Sequence, residues 1–475
     1  MPCCLAAPHA LLRALHSAAR RGTAQARHPH APDPVNLELV TLTEDLAVIT
    51  WHTGVESEGE VVYGTHPAHL NRTASEGRDT AHHYVELTDL EPGQTYYYQA
   101  RSRGSAATPT PLHLVSGNAV GTSLHGFGTR AGPYSFTTPQ PPPGRHLLSI
   151  ALCNDLHLGE TTAGLVTGVP LMRGISQRLG LGPYPEIMGR ALVEEAHRRG
   201  ARHLLAAGDI SAGGAPRDLS EARRLLDGFG THGQDYFVVR GNHDRCGRQG
   251  VQEGRGDNFL DAFPADGGPD GEAAYFSRDL GGLRILGVDT YEKRGNGAGP
   301  GGLSDEQLAW FRADVRAHKD QPTVVFGHHP LTVRNSPFPV TSGQRLNRRQ
   351  ARAILDTYAA APGVFLHHAG HTHRNKRTVL PQARHVTLQE VGAVKEYPGG
   401  FCLLRIHTGG YALNYYKASS GPAREWSERS RRVAAGLWPQ YALGRSVHDR
   451  NSVVVRDLSG ITPTVTRRPA LRGAA

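Results

Sequence analysis

Five short polar motifs in this 475-residue chain each follow a run of apolar residues. In chain order they are Asp155-Leu-His157, Gly208-Asp209, Gly241-Asn-His-Asp244, Gly327-His-His329 and Gly370-His-Thr-His373. Any one of them is a weak signal, because Asp-x-His and Gly-Asp occur by chance in many proteins. All five in series predict one shared site at the carboxyl ends of the strands of an open α/β sheet.

The side chains in these motifs are suitable ligands for divalent metal ions. Carboxylate oxygen, amide oxygen and imidazole nitrogen suit Mn, Fe, Co or Zn, and the motifs contain no thiolate that would favour zinc alone. A carboxylate has two oxygens, so one aspartate can bridge two ions. Two ions about 3.5–4 Å apart can hold a hydroxide that attacks phosphorus in line. The motifs therefore predict two divalent metal ions, of undetermined identity, and hydrolysis of phosphoric esters.

The elements around the motifs predict a layered α/β domain. Apolar strands are expected at His146–Cys153, His203–Ala207, Tyr236–Val239, Thr323–Phe326 and Val364–Ala369. Helices are expected between them, at Ile187–Arg199, Leu219–Phe229, 304–318 and Arg348–Tyr358. The third helix begins with Ser304 and Gln307 at the spacing of a capping box. Strands that alternate with helices indicate an α/β fold. Hairpin-like runs at 274–288, 386–391 and 401–416 add antiparallel strands.

The order of the five motifs resembles that of the calcineurin-like metallophosphoesterase superfamily, over roughly 147–374. The resemblance implies a layered α/β/β/α sandwich with a dinuclear centre. The implied metal ligands are Asp155, His157 and His373 for the first ion, Asp209 as the bridge, and Asn242, His328 and His371 for the second ion. His243 would contact the substrate, either donating a proton to the leaving oxygen or stabilising transition-state charge. Asp244 would orient His243.

The fourth motif offers two adjacent histidines. The superfamily ligand is the histidine two residues before a proline, and Pro330 gives that position to His328. Neighbouring residues at a strand end point in opposite directions, so His329 is expected to line the substrate pocket instead. His367 and His368 lie inside the preceding strand and are expected to be core residues.

Short alternating strands between residues 33 and 138 predict an N-terminal β-sandwich. Trp51 is the candidate core aromatic, and the stretch from Leu90 to Tyr96 has the spacing of a tyrosine corner. These residues resemble a fibronectin type III domain and, more narrowly, the N-terminal sandwich of purple acid phosphatases; another small sandwich is the alternative. His82 and His83 are expected to form a surface pair.

The predicted domain order is a disordered tail at 1–32, the fibronectin type III-like sandwich at 33–138, a proline-rich linker at 139–145 and the catalytic domain with a C-terminal extension at 146–475. The consecutive prolines of the linker favour an extended, stiff conformation. We therefore expect the sandwich to be held in place rather than to move as an independent module.

Composition excludes several classes of protein. The 52 Lys+Arg residues exceed the 43 Asp+Glu residues by nine, which gives the chain a net positive charge. Because this charge is spread thinly along the chain rather than clustered, a nucleic-acid partner is not expected. No run of 18 apolar residues occurs, so no membrane-spanning helix is expected. Five irregularly spaced cysteines predict neither a disulfide framework nor a cysteine zinc site. With no signal-peptide pattern, we expect a cytoplasmic protein, or a secreted one if the start site is misassigned. Nothing indicates the oligomeric state.

Two positions depart from the purple acid phosphatase pattern. Those enzymes have a tyrosine three residues after the bridging aspartate, whereas this chain has Ala212 at that position. Their first motif has a glycine at the position of His157. In both respects the site resembles the branch of cyclic-nucleotide and glycerophosphodiester phosphodiesterases. The enzyme is therefore expected to be colourless, and its first ion need not be ferric iron.

The predicted function is a dinuclear metal-dependent hydrolase of small-molecule phosphate esters. Phosphodiesters are the preferred substrate class, and phosphomonoesters are the alternative. A non-catalytic binding protein is disfavoured, because no ligand position implied by the resemblance is missing. A nuclease is also disfavoured, because no groove of aromatic and basic residues is evident.

Overall fold

The computed structural model describes residues 34–109, 132–165, 173–245, 257–264, 273–291, 301–334, 344–433 and 439–462. The described chain forms two compact units. One contains the described residues up to Glu38, with Ile49–Glu86 and Tyr96–Phe136; the other contains Leu39–Val48, Leu87–Thr95 and the chain from Thr137 onward. The predicted disordered tail lies outside the described residues.

The N-terminal strands form two small sheets, as the alternating pattern predicts. One sheet contains Val35–Leu42, Ala47–Ser57 and Thr80–Leu87. The other contains Gly59–Gly64, Arg72–Ser75, Thr95–Ser102, Ser105–Ala106 and Tyr134–Thr137. Buried and partly exposed residues alternate strictly along Thr95–Ser102, so one face of that strand is directed into the core.

The core of this sandwich contains the predicted tryptophan and one unexpected histidine. Trp51 is buried, and the ring of His83 stacks on it with the centroids 4.5 Å apart. His82 instead stacks on His52, at 4.9 Å. The predicted surface pair of His82 and His83 is therefore wrong. Successive side chains of a strand point to opposite faces, so only one of two adjacent histidines can lie on the outside.

Two six-stranded sheets make up the α/β part of the chain. The first sheet has the strand order Tyr236–Val239, His203–Ala207, His146–Cys153, Gly400–His407, Gly410–Lys417 and Asn451–Val455. Its first three strands are parallel, and the others are antiparallel. The second sheet has the order Phe276–Asp279, Arg284–Val288, Thr323–Gly327, Val364–Ala369, Thr387–Glu390 and Lys376–Thr378. Its four central strands are parallel. A separate hairpin pairs Thr162–Leu165 with Arg173–Ser176.

Helices cover the outer faces of both sheets. The α-helices of the described residues are Tyr184–Arg198, Pro216–Leu226, Asn258–Ala262, Asp305–Ala317, Arg348–Ala359, Gly421–Ser430 and Pro439–Leu443. Short 3₁₀ turns occupy His243–Arg245, Pro381–Ala383 and Val447–Asp449. One apolar core lies between the first sheet and its helices, and a second lies between the other sheet and its helices. The predicted α/β/β/α layering is confirmed. In the described part of the chain, no helix combines the length and apolarity needed to cross a bilayer.

Local residues determine where several of the helices begin. Pro185 and Pro216 lie in the first turns of their helices, which begin three residues earlier than predicted. Ser304 caps its helix by accepting a hydrogen bond from the Gln307 backbone N–H. The Gln307 side chain bonds the backbone N–H and C=O of Asp289. The side chain of Gln307 therefore helps to fix the loop after the strand Arg284–Val288.

Candidate metal centre

All five motifs lie in loops at the carboxyl ends of strands, and their backbone is unusual. Eight described residues other than glycine have positive φ, and five of these are candidate ligands with φ between 49° and 66°: Asp155, His157, Asp209, His371 and His373. This left-handed conformation costs a residue with a side chain about 1–3 kcal/mol and clusters at functional sites. Hydrogen bonds between the loops hold it, because the N–H groups of Asp155 and His157 donate to the carbonyls of Gly208 and Asp209, each at 3.0 Å.

Two glycines allow the loops to approach one another closely. A Cβ atom at Gly208, where φ is +80°, would lie 2.8 Å from the Cβ of His328. One at Gly241 would lie 2.2 Å from Oδ1 of Asp209. Neither contact is possible for a larger residue, so glycine at these positions lets the ligand-bearing loops meet.

The first group of ligand atoms comes from Asp155, His157 and His373. Oδ2 of Asp155 accepts hydrogen bonds from the His371 backbone N–H, at 3.0 Å, and from the Asn154 side chain, at 2.6 Å. Its other oxygen, Oδ1, lies 3.0 Å from Nε2 of His373 and 3.6 Å from Nε2 of His157. One oxygen of the carboxylate is thus used for loop structure, and the other faces the two imidazoles.

Asp209 divides its two oxygens in the same way. Oδ1 accepts a hydrogen bond from the His243 backbone N–H at 2.8 Å. Oδ2 lies 3.4 Å from Nε2 of His157 and 3.1 Å from Nε2 of His328. A single carboxylate oxygen therefore faces one histidine from each of the two implied ligand sets.

The second group surrounds His328. Its Nε2 lies 3.1 Å from Oδ1 of Asn242 and 3.1 Å from Nδ1 of His371. Its other ring nitrogen, Nδ1, lies 2.8 Å from the carbonyl oxygen of Ala207. A carbonyl can only accept, so Nδ1 carries a proton, and Nε2 is the ring nitrogen that could bind an ion once it is deprotonated.

These atoms meet the requirements of metal binding. Ligand atoms of Asp155, His157 and His373 all lie within 4.8 Å of one another, as do those of Asp209, His328 and His371. Atoms bonded at about 2.1 Å to one ion lie about 3.0–3.4 Å apart, which is the range of most of these separations. Oδ1 of Asp155 and Nε2 of His157 are buried and 3.6 Å apart, which is too far for a hydrogen bond between them. A cation bound by both atoms would offset the cost of burying them.

The charges within the site shift the pKa values of its members strongly. Burial opposes ionisation of Asp155, but the neighbouring histidines, His373 foremost, hold the pKa of this carboxyl well below its usual range. Burial also opposes the charged form of His328 and His373. Asp209 nevertheless raises the pKa of His328 to about 9, and Asp155 with Glu396 raises that of His373 to about 9. In the metal-free protein at pH 7, Asp155 is therefore ionised, and His328 and His373 are protonated.

Three residues that the sequence analysis missed lie behind the first group. Nδ1 of His157 lies 2.8 Å from Oε2 of Glu160, and Nδ1 of His373 lies 2.8 Å from Oε1 of Glu396. Nζ of Lys395 contacts both carboxylates. The position of Glu160, three residues after His157, could have indicated from the sequence that the two side chains lie close together. Glu396 lies in a loop with no motif, and nothing in the sequence indicated its partner.

The proposed substrate-facing histidine is oriented differently from the expectation. Nδ1 of His243 lies 3.0 Å from the carbonyl oxygen of Ala212. The Asp244 carboxylate accepts hydrogen bonds from the backbone N–H groups of Ile210, Ser211 and Gly241. The expected orientation of His243 by Asp244 is therefore wrong: Ala212 orients the ring, and Asp244 holds two ligand-bearing loops together.

His329 of the fourth motif and the two strand histidines His367 and His368 are all buried. Nδ1 of His329 lies 2.9 Å from Oγ1 of Thr290, and its ring centroid lies 4.3 Å from that of His371. The role of His329 in a substrate pocket stays a prediction, since parts of the neighbouring loops lie outside the described residues. His367 and His368 are buried within their strand, as expected. Nδ1 of His367 lies 2.7 Å from the Tyr358 hydroxyl, and Nε2 of His368 lies 3.2 Å from the backbone carbonyl oxygen of Cys153.

Sequence comparison agrees with the resemblance drawn from the motifs. Residues 148–375 match the family of calcineurin-like phosphoesterases, and residues 32–113 match the purple acid phosphatase N-terminal domain. Glycerophosphodiester phosphodiesterase GpdQ of Enterobacter lignolyticus is 27% identical over 191 residues, which is 39% of this chain and 60% of that protein. The match thus spans less than two thirds of the curated relative.

The matching solved structures are more distant in sequence than this relative. Purple acid phosphatase PPD1 from yellow lupin is 15% identical, with 92% of this chain and 78% of that chain covered and a TM-score of 0.43. A dimetal phosphatase from Danio rerio is 17% identical, with 58% and 98% covered and a TM-score of 0.42. The family matches are the more informative comparison, and by them residues 148–375 resemble the calcineurin-like phosphoesterases and residues 32–113 resemble the purple acid phosphatase N-terminal domain.

Proposed function

We propose that this protein hydrolyses phosphoric esters with two divalent metal ions, and that phosphodiesters are its preferred substrates. The observation that carries the proposal is the position of Asp209. One of its oxygens lies within 3.4 Å of a histidine from each ligand group. A shared carboxylate of this kind suits two ions that act on one phosphate.

The ligand roles follow the two groups. Asp155, His157 and His373 would hold the first ion, and Asn242, His328 and His371 the second, with Asp209 shared. When bound, such ions lower the pKa of water towards neutrality and neutralise charge on a phosphate. Mn, Fe, Zn and Co all suit this mixture of oxygen and nitrogen ligands.

His243 would act on the leaving group. Ala212 accepts from Nδ1, which leaves Nε2 as the ring nitrogen available to a substrate. A ring nitrogen of His243 lies within 4.8 Å of ligand atoms of His157 and Asp209, so the ring borders the proposed reaction site. From there it can pass a proton to the departing oxygen.

Two observations favour phosphodiesters over phosphomonoesters. His157 and Ala212 replace residues of the purple acid phosphatase pattern, and the curated relative is named as a glycerophosphodiester phosphodiesterase. The purple acid phosphatase N-terminal domain favours the second candidate, a phosphomonoesterase.

The test is a substrate comparison on enzyme reconstituted separately with Mn²⁺, Zn²⁺, Co²⁺ and Fe²⁺. We expect kcat/KM to be higher for bis(4-nitrophenyl) phosphate than for 4-nitrophenyl phosphate, and both activities to be lost in Asp209→Asn. Cyclic nucleotides and glycerophosphodiesters would then define the natural class. A preference for the monoester would establish the second candidate, and full activity of the metal-free enzyme would refute both.

A further inference from the structure

We propose that Lys395 is a positioning residue of the first metal site, because it joins the two glutamates that lie behind the metal-facing histidines. The inference rests on the two-metal function proposed above. It assigns Glu160, Lys395 and Glu396 to one unit, which we call the Glu–Lys–Glu bridge.

The contacts of the bridge run without a gap from one histidine to the other. Nζ of Lys395 lies 2.7 Å from Oε1 and 2.6 Å from Oε2 of Glu160, and 3.6 Å from Oε2 of Glu396. Each glutamate in turn has a carboxylate oxygen 2.8 Å from Nδ1 of its histidine, His157 or His373. The side chains of Lys395 and Glu396 are each only 5% exposed, so water screens these charges little.

Aromatic packing fixes the bridge from behind. The Tyr184 hydroxyl donates to Oε1 of Glu160 at 2.7 Å, and Nε1 of Trp426 donates to the Lys395 carbonyl at 2.7 Å. The two aromatic rings stack on each other with centroids 4.0 Å apart. Lys395 also donates its backbone N–H to the carbonyl of Asp155, at 3.1 Å. The bridge is therefore tied both to the core and to the loop that carries the first ligand.

The arrangement has a direct consequence for metal binding. A carboxylate behind an imidazole keeps a proton on Nδ1, so Nε2 offers its lone pair to the ion, and it makes that nitrogen a stronger ligand. The ammonium group of Lys395 contacts both carboxylates and so fixes their positions relative to each other. Lys395 thereby holds both histidines in the orientation that directs Nε2 towards the ion.

A purely structural ion cluster is the competing explanation, and a matched control separates the two. Arg284, at the start of its strand, pairs with Asp314 through Nε at 2.9 Å, and both side chains are at most 12% exposed. This pair lies at the strand end opposite to the ligand loops. Arg284→Met therefore removes a buried ion pair of similar exposure without touching the metal centre.

The experiment titrates full-length metal-free protein with Mn²⁺ by calorimetry and measures turnover at low and at saturating Mn²⁺. For Lys395→Met we expect the affinity of one of two sites to fall about 10–100-fold, as for other groups behind metal ligands. Excess Mn²⁺ should restore much of the lost turnover. Arg284→Met should bind Mn²⁺ as the wild type does, even where its melting temperature falls.

A folded Lys395→Met protein that binds two Mn²⁺ ions with wild-type affinity would overturn the proposal. If circular dichroism shows that this variant does not fold, Glu160→Gln and Glu396→Gln provide the test instead. Loss of Mn²⁺ affinity in both variants supports the bridge, and wild-type affinity in both refutes it. A wild-type protein that binds no Mn²⁺ would overturn the two-metal function together with the bridge. Two ions bound with the same affinity by the wild type and by all variants would overturn the bridge alone.

Discussion

Metal binding should compete with protons, and its pH dependence can be calculated from two histidines. His373 belongs to the first ligand group and His328 to the second. Burial opposes their charged forms, but the adjacent carboxylates raise the pKa of each to about 9. At pH 7 both imidazoles are therefore protonated in the metal-free protein, and each must lose a proton before it can ligate an ion.

The size of the effect follows from the two pKa values. Removing a proton at pH 7 from a group of pKa about 9 costs about 2.7 kcal/mol, since one pKa unit corresponds to about 1.36 kcal/mol. The apparent affinity of each site should accordingly rise about tenfold per pH unit between pH 7 and pH 8. The pKa of His157 is also raised, through its contacts with Asp155, Asp209 and Glu160 against the effect of burial, and this can only steepen the slope at the first site.

The same shifts determine the stability of the metal-free protein. A histidine whose pKa is raised from about 6.5 when unfolded to about 9 when folded contributes stability below pH 6.5. That contribution is lost as the pH rises towards 9. Bound ions replace the protons, so the rise in melting temperature on adding metal should grow over the same interval.

Calorimetric titration with Mn²⁺ between pH 6.5 and 8.5 measures this directly. Two buffers of different ionisation enthalpy at each pH give the number of protons released per ion. We expect at least one proton for each of two ions near pH 7. An affinity that does not change between pH 7 and pH 8, together with heats that are the same in both buffers, would refute the assigned ligands or their charge states.

Three further perturbations test separate parts of the structure. Asp209→Ala should abolish activity and lower metal content at both sites, and two equivalents of metal retained on elemental analysis would contradict a shared ligand. His243→Ala should keep both ions but lose about 10²–10⁴-fold in rate; the loss should shrink for nitrophenyl leaving groups, and a loss independent of leaving-group pKa would indicate charge stabilisation instead. Deleting residues 1–140 removes Glu44, whose carboxylate oxygens lie 2.6 and 2.7 Å from the Arg405 guanidinium. It also removes the backbone carbonyls of Leu39 and Val40, which accept hydrogen bonds from Arg450. The fragment should be insoluble or melt at a clearly lower temperature, and unchanged melting and turnover would show that these contacts are dispensable.

The sequence predicted four of the parallel strands of the α/β fold with little error, for a physical reason. His146–Cys153, His203–Ala207, Tyr236–Val239 and Val364–Ala369 have the predicted bounds, because strands buried on both faces appear as continuous apolar runs. Helix ends were less well predicted. An amphipathic pattern marks the buried face of a helix, whereas its start depends on a local residue such as Pro216.

The candidate site was predictable where its signal is local. Each motif joins a turn-forming residue to a ligand type within four positions, and such a pattern can be recognised without knowledge of the fold. Contacts made between motifs left no such trace. His243 contacts Ala212 rather than Asp244 because of the way in which two loops meet, and the sequence does not show this. The burial of His83 follows from the alternation of side chains along its strand, but two adjacent histidines do not reveal which of them faces the core.

Two of the three residues of the Glu–Lys–Glu bridge lie outside the part of the chain that matches the family. The family match ends at residue 375, whereas Lys395 and Glu396 lie beyond it, and Lys395 contacts Glu160 across 235 residues of sequence. Trp426, which donates to the Lys395 carbonyl, lies farther still along the chain. A motif search therefore identifies the candidate ligands, whereas the residues that contact His373 from behind belong to a later segment. If the proposed bridge is correct, the C-terminal part of the fold influences metal affinity through these contacts.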